Sequence, residues 1–259
     1  MKQMLIIPDR ENIKQCVAYA KEYGLGFEYN DFFAPSLLDD NEKLEAVIAH
    51  YKGNGVPEYC TLHGAFFDVI PFSVDEKIKE ISIQRIETCI DIAKRLGVKA
   101  VVFHTNYNPF LNTKAYVENW IKENIFFWSM ILEKHKDIQI YLENMFDTTP
   151  DILEALSETL SKYQNYGVCL DYAHASISKT EPEVWAKQLG RFVKHVHIND
   201  NDLVSDLHLI WGDGKINRTD FYELYDKYMK DATILIEISS LEGAKASYER
   251  MKKEGFLAE

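Results

Sequence analysis

RLGVKAVVFHTN, residues Arg95 to Asn106, changes periodicity within a few residues. Upstream, Asp75–Leu96 has the apolar spacing of an amphipathic helix. Gly97 then stands where a helix expects its left-handed C′ residue. Ala100–His104 follows as a β-branched and aromatic run, the signature of a buried strand. The same grammar recurs at EYGLGFEY, where Gly24 ends one helix before the next strand. Strand candidates are Gln3–Pro8, Gly26–Asn30, Tyr59–Leu62, Ala100–His104, Ile138–Glu143, Gly167–Asp171, Lys194–Ile198 and Thr233–Ile238. Helix candidates are Glu11–Tyr23, Asn41–Tyr51, Asp75–Leu96, Thr113–His135, Pro150–Lys162, Glu181–Phe192, Arg218–Met229 and Gly243–Glu254. Thr149 reads as the N-cap of the fifth helix, with Pro150 in its first turn. Strict alternation implies parallel βαβ units. Eight units in about 250 residues is the size of a (β/α)8 TIM barrel, here one domain over residues 1–259. A doubly wound sheet is the alternative, and it lacks its commonest signal, a GxGxxG after the first strand.

The 259 residues are 46% hydrophobic and 27% charged, the composition of a soluble globular chain. No apolar run approaches the roughly 20 residues that span a bilayer, so no membrane association is expected. MKQMLIIPDR turns polar too soon for a secretory signal, which points to the cytoplasm. Cys16, Cys60, Cys89 and Cys169 show no CxxC spacing and read as buried free thiols. A net charge of −12 disfavours non-specific nucleic-acid binding, although a local basic stripe stays open.

In a barrel, reactive groups sit at the C-terminal strand ends and in the loops after them. Those positions here hold Glu28 and Asn30, His63, His104, Glu143, Asp171 with His174, and His195, His197, Asn199 and Asp200. Asp206 and His208 follow in the next loop, and Glu237 ends the last strand. Five of the eight histidines (His63, His104, His174, His197 and His208) stand at the strand ends or in that loop. Imidazoles and carboxylates without thiolates suit zinc, manganese, cobalt or iron. Such a convergence needs a cation or extensive hydrogen bonding to be stable. His195 shares a strand face with His197 one layer deeper, as a supporting or core residue. Glu28 reads as a hydrogen-bonding barrel residue, Asn199 and Asp200 equally as loop caps, and His50 and His135 as surface residues.

The motifs YLEN, CLDYAH, HVHIND, DLHLIWGDGKI and ILIEI resemble the xylose isomerase-like TIM-barrel superfamily, over essentially the whole chain. That group includes sugar-phosphate isomerases and epimerases and the endonuclease IV group. In the epimerase branch, the resemblance implies one metal held by Glu143, Asp171, His197 and Glu237, with Glu143 and Glu237 as acid and base. In the endonuclease IV branch it implies three zinc ions on His63, His104, Glu143, Asp171, His174, His197, Asp206, His208 and Glu237.

The resemblance departs from both branches. NDNDLVSDLH lacks the arginine with which epimerases grip substrate after the seventh strand, leaving Lys215 and Arg218 as the nearest cations. DFFAPSLLDDNE and GAFFDVIPFSVDE lack the basic support of a DNA-inserting loop. The first expectation is therefore an isomerase or epimerase of a small sugar, sugar phosphate or polyol. Zinc or manganese, one to three ions, would polarise a carbonyl while Glu143 and Glu237 exchange a proton and His174 orients a hydroxyl. Asn30, Phe66, Trp211 and Lys215 are the candidate substrate contacts. Phe67 and Phe110 extend an apolar lid, and Gly212 and Gly214 permit either close substrate approach or a turn. The alternative is a multinuclear zinc phosphoesterase, and a third expectation is a non-enzymatic metal-binding barrel. A homodimer is compatible with such a barrel.

Overall fold

The computed structural model describes residues 2–257. Among these, β1 (Met4–Ile6), β2 (Gly26–Tyr29), β3 (Cys60–His63), β4 (Ala100–His104), β5 (Gln139–Glu143), β6 (Tyr166–Asp171), β7 (Val193–Ile198) and β8 (Thr233–Ile236) form one closed barrel. Every neighbouring pair is parallel, and β1 closes on β8 through Leu5 opposite Leu235. The outer helices are α1 (Ile13–Tyr23), α2 (Pro35–Leu38), α3 (Asn41–Asn54), α4 (Glu76–Leu96), α5 (Lys114–Lys134), α6 (Asp151–Leu160), α7 (Tyr172–Ile177), α8 (Pro182–Leu189), α9 (Arg218–Leu224) and α10 (Leu241–Lys253). A single π turn, Tyr225–Met229, continues α9. This is the TIM barrel expected from the alternation.

Gly24 and Gly97 end α1 and α4 at φ 66° and 76°, each donating its N–H back to the last turn. That is the left-handed cap glycine adopts without steric penalty. The fifth helix expected from the sequence starts one residue later than predicted. Pro150 occupies its cap, and Thr149 Oγ1 bonds Asp151 Oδ2 at 3.0 Å instead. Two short helices, α2 and α7, lie in stretches that carry no helical period. His135 is not a surface residue: it caps α5, is buried, and sits 2.9 Å from Glu87 Oε2. All four cysteines are free and buried. Among the described residues no helix is long and apolar enough to cross a membrane.

Strand periodicity divides the chemistry between two faces. Ile6, Phe27, Leu62, Val101, Phe103, Ile140, Leu142, Leu170, Val196 and Ile236 pack in the main core under the helices. The alternating set Ala100, Val102, Tyr141 and Cys169 forms a separate small apolar cluster inside the barrel. In the same phase, Glu28, Thr61 and His195 stand in register with that cluster, and His63, His104, Glu143, Asp171, His197 and Glu237 stand higher along the strands, all buried. The barrel axis therefore passes from an apolar plug to a polar mouth.

Candidate metal centre

His63 and His104 end adjacent strands, and their Nε2 atoms approach to 3.1 Å. Glu143 Oε2 lies 3.4 Å from the first and 3.2 Å from the second. His63 Nδ1 bonds the Gly64 carbonyl, which assigns the proton to Nδ1 and leaves the Nε2 lone pair facing the cluster. The same device recurs twice. His174 Nδ1 bonds the Asn144 carbonyl and its Nε2 stands 3.3 Å from Asp206 Oδ2. His208 Nδ1 bonds the Glu237 carbonyl and its Nε2 stands 3.1 Å from the same Asp206 oxygen. Backbone carbonyls thus orient three imidazoles inward, as metal-binding histidines require. His208 holds a left-handed backbone at φ 48°, uncommon for a residue with a side chain.

His197 is oriented differently. Its Nδ1 lies 3.2 Å from Glu143 Oε1 and 3.6 Å from Glu237 Oε1, while Nε2 lies 3.2 Å from Glu28 Oε1. Beneath it, Glu28 Oε2 accepts from Thr61 Oγ1 at 2.7 Å and meets His195 Nε2 at 3.1 Å. His195 is completed by Thr233 Oγ1 at 2.6 Å, so it supports the cluster from below. Asp171 caps α7, its Oδ1 accepting the His174 N–H at 2.7 Å. Its other oxygen stays buried without a partner. Capping and a place in the cluster are therefore both properties of this residue.

Both oxygens of Glu143, Asp171 Oδ2, both nitrogens of His197, His104 Nδ1 and Glu28 Oε1 are buried without an aligned hydrogen bond. Buried polar atoms are rarely left so, because each unmet bond costs about 1–3 kcal/mol. Donor atoms of His63, His104 and Glu143 lie within 4.8 Å of one another, as do those of Glu143, Asp171 and His197. Glu143 is common to both groups, and the donors are those preferred by zinc or manganese. A third grouping, Cys169 with His195 and His197, lies deeper. There burial holds the Cys169 thiol far above its usual range, so it stays protonated.

The electrostatics describe a cation-hungry cluster. Burial raises Asp171 to about 7, helped by the Glu237 and Glu143 carboxylates. Burial also opposes the ionised forms of Glu143 and His174. For Glu143 the His197 and His104 imidazoles overcome it, holding the carboxyl well down. For His174 the Asp171 and Asp206 carboxylates do so, holding the imidazole well up. His208 rises to about 10 against burial, mainly through Asp206 and Glu237.

Two clefts open beside the cluster. One, of about 540 Å³, is lined by Asp9, Arg10, Asn30, Asp31, His208 and Glu237. The other, of about 740 Å³, adjoins His174 on the side of the β4 and β5 loops. Asn30 lines the first with a buried, unpartnered Oδ1. Phe66 walls the cluster, its ring 5.2 Å from that of His63 and 4.8 Å from that of His104. Trp211 lies elsewhere: it is fully buried, 5.3 Å from the Phe221 ring, with its N–H donated to Tyr222. Lys215 is exposed on the same loop and lines neither cleft, while Arg218 is paired with Glu254. The reason is Asp200. Its carboxylate accepts the N–H groups of Asn201, Gly212 and Ile216, folding the GDGK turn onto the barrel wall. A side chain at Gly214 would stand 2.3 Å from Asn201 O, so this glycine closes the turn and leaves the mouth untouched.

Arg10 and Asp147 were not foreseen as mouth residues. Arg10 reaches the first cleft from the loop after β1, 3.5 Å from Asp31. Asp147 lines the second. Both lie in loops after strands, β1 and β5, where the barrel rule allows reactive groups but no spacing singles these residues out.

Comparison with known proteins agrees with this architecture. The family model described as "Xylose isomerase-like TIM barrel" matches residues 11–254. An uncharacterized protein of Methanocaldococcus jannaschii is 32% identical over 74% of this chain and 68% of its own. The fructoselysine 3-epimerase of Shigella flexneri is 26% identical over 55% of this chain, which spans about half (53%) of that protein. Among solved structures, a D-tagatose 3-epimerase-like protein superposes with TM-score 0.77 at 25% identity, covering 98% of this chain and 96% of that one. A Thermus thermophilus protein soaked with zinc chloride gives 0.76 at 21%, covering 98% and 97%. Endonuclease IV from the same organism gives 0.63 at 16%, covering 99% of both. The last two likenesses are of fold.

Proposed function

The chain belongs to the xylose isomerase-like TIM-barrel family, and on that footing we propose that it is a divalent-metal-dependent isomerase or epimerase of a small carbohydrate. The observation that carries this reading is the placement of Glu143 and Glu237 about one nitrogen of His197, within a cluster of unpaired donors that opens onto a polar cleft. Glu143, Asp171, His197 and Glu237 would hold one ion, and His63 and His104, sharing Glu143, a second. A bound divalent ion supplies Lewis-acid polarisation of a carbonyl and its neighbouring hydroxyl.

The chain's own groups do the rest. Glu237 faces the cleft, with one oxygen 3.3 Å from the Asn199 amide. It exchanges a proton with the carbon next to the carbonyl, and Glu143 serves the second transfer, in either order. His174 and Asn30 orient hydroxyls, and Phe66 shields the reacting carbons from water. The named activity of the Shigella relative supports this assignment.

A second reading, a multinuclear zinc phosphoesterase, is favoured by the pairing of His63 with His104 and of Asp206 with His174 and His208. The clefts weigh against it. Asp9, Glu11 and Asp31, none of them in the cluster, outnumber Arg10 in the first, an unfavourable field for phosphate. The test is deuterium incorporation from heavy water into ketoses and keto-glycosides by zinc- or manganese-loaded protein, beside hydrolysis of an abasic-site duplex. Exchange into a sugar carbon supports the isomerase; duplex cleavage without any exchange reverses the order.

A further inference from the structure

We propose that the cleft beside His174 is a second substrate compartment, taking an aryl or alkyl substituent that is joined to the sugar through an N–H donor bonded by Asp147. The proposal rests on the carbohydrate reading above and names the class: a conjugated, unphosphorylated sugar.

Three observations carry it. The cleft is large and has an apolar, aromatic part within a polar rim. Tyr107, Phe110, Met145, Phe146 and Ile177 line about 740 Å³, within the range of about 300–1,000 Å³ typical of ligand pockets. A free sugar needs only the polar cleft on the other side of the cluster. Next, its aromatic lining is uncovered: Phe110 is 90% exposed and Phe146 56%. Exposed apolar patches rimmed by polar groups mark binding sites. The loop carrying Phe110 is also held in place, because the Asn106 amide bonds the carbonyls of Phe66 and Val69 at 3.0 and 2.9 Å.

The third observation is Asp147, only 4% exposed and lining this cleft. Its Oδ2 accepts from Thr105 Oγ1 at 2.7 Å and from the Met145 N–H at 3.1 Å. Its Oδ1 is buried with no partner. Burial raises its carboxyl to about 6 despite those two bonds. The Thr105 and Met145 bonds use only Oδ2, so they leave the other carboxylate oxygen unaccounted for. A retained carboxylate with one unpartnered oxygen, on a residue that lines the cleft, asks for a donor from outside. Lys179 is the exposed cation on this lining, faced by Asp68 and Asp147, a balance that does not favour a phosphate.

The test is calorimetric binding of three probes to the zinc-loaded full chain: 1-(benzylamino)-1-deoxy-D-fructose, its methylamino counterpart, and 1-O-benzyl-D-fructose, which has no donor in its linkage. The benzylamino sugar is expected to bind at least about 10-fold tighter than the methylamino one, since burying a phenyl-sized group is worth about 1.5–3 kcal/mol. Phe110→Ala, at an exposed position that does not endanger folding, is expected to shrink that ratio. Asp147→Asn is expected to shrink the benzylamino-over-benzyl-ether ratio, with zinc content unchanged. Equal affinity for the three probes, including no measurable binding of any, overturns the proposal, as do wild-type ratios in both variants. Tight benzylamino binding without proton exchange defeats the isomerase reading alone. Exchange into free ketoses with no preference among the probes defeats the compartment alone.

Discussion

Glu28 Oε1 lies 3.2 Å from His197 Nε2, on the side of the imidazole away from Glu143, whose Oε1 lies 3.2 Å from Nδ1. The ring is thus suspended between two buried carboxylates with no aligned bond at either nitrogen. A cation on the Nδ1 side would leave Nε2–H for Glu28, the carboxylate–histidine pairing that supports many metal sites. Burial opposes the charge on Glu28, yet His197 and His195 hold its carboxyl well below the usual range. Glu28→Gln should therefore weaken zinc binding about 10- to 100-fold while Glu237 remains in place. Titration calorimetry on the two proteins checks this, and equal affinities would remove Glu28 from the metal's support.

Zinc binding should tighten as pH rises from 6 to 8 and should release protons, because Asp171 and the imidazoles must give them up. The metal-free protein should behave oppositely. Asp171 is raised from 3.8 to about 7, so its stabilising contribution is present below 3.8 and lost as pH climbs through about 7. His208 is raised from 6.5 to about 10, so its contribution is lost between those values. Tm measured with a chelator should fall over pH 6–10. A chelated protein that gains stability over that range would contradict the assignment.

Asp147→Asn should stabilise the protein at pH 8. The buried carboxyl, raised from 3.8 to about 6, favours folding when protonated and opposes it when ionised. The substitution should gain on the order of 2–3 kcal/mol relative to the wild type between pH 4 and pH 8. Urea melts at the two pH values decide it. A destabilised variant at pH 8 would mean that the carboxylate already has a partner.

Trp211 should behave as core. Trp211→Ala should cost about 3–5 kcal/mol with zinc stoichiometry and KM unchanged. An unchanged melt with a raised KM would return the residue to the mouth.

The barrel was legible because its signals are local. A glycine cap at Gly97 and the alternation of Ala100–His104 need no tertiary context, and the barrel rule then locates the strand ends. His63, His104, Glu143, Asp171 and His197 converge because strand period and closure leave them nowhere else to point. Trp211, Lys215, Arg10 and Asp147 sit in loops, where direction is set by long-range bonds. The Asp200 carboxylate turns Trp211 inward, and no spacing within GDGK announces it. Asp147 faces its cleft because Thr105, on another loop, fixes one of its oxygens.

The most direct test is elemental analysis of the untagged protein, purified without chelator, beside Glu143→Ala. Glu143 is shared by both donor groups. Wild-type protein should carry one or two equivalents of zinc or manganese, and the variant should carry none. A wild-type chain that holds no metal and takes none up, or a Glu143→Ala protein that stays fully loaded, would contradict the metal centre and the chemistry built on it.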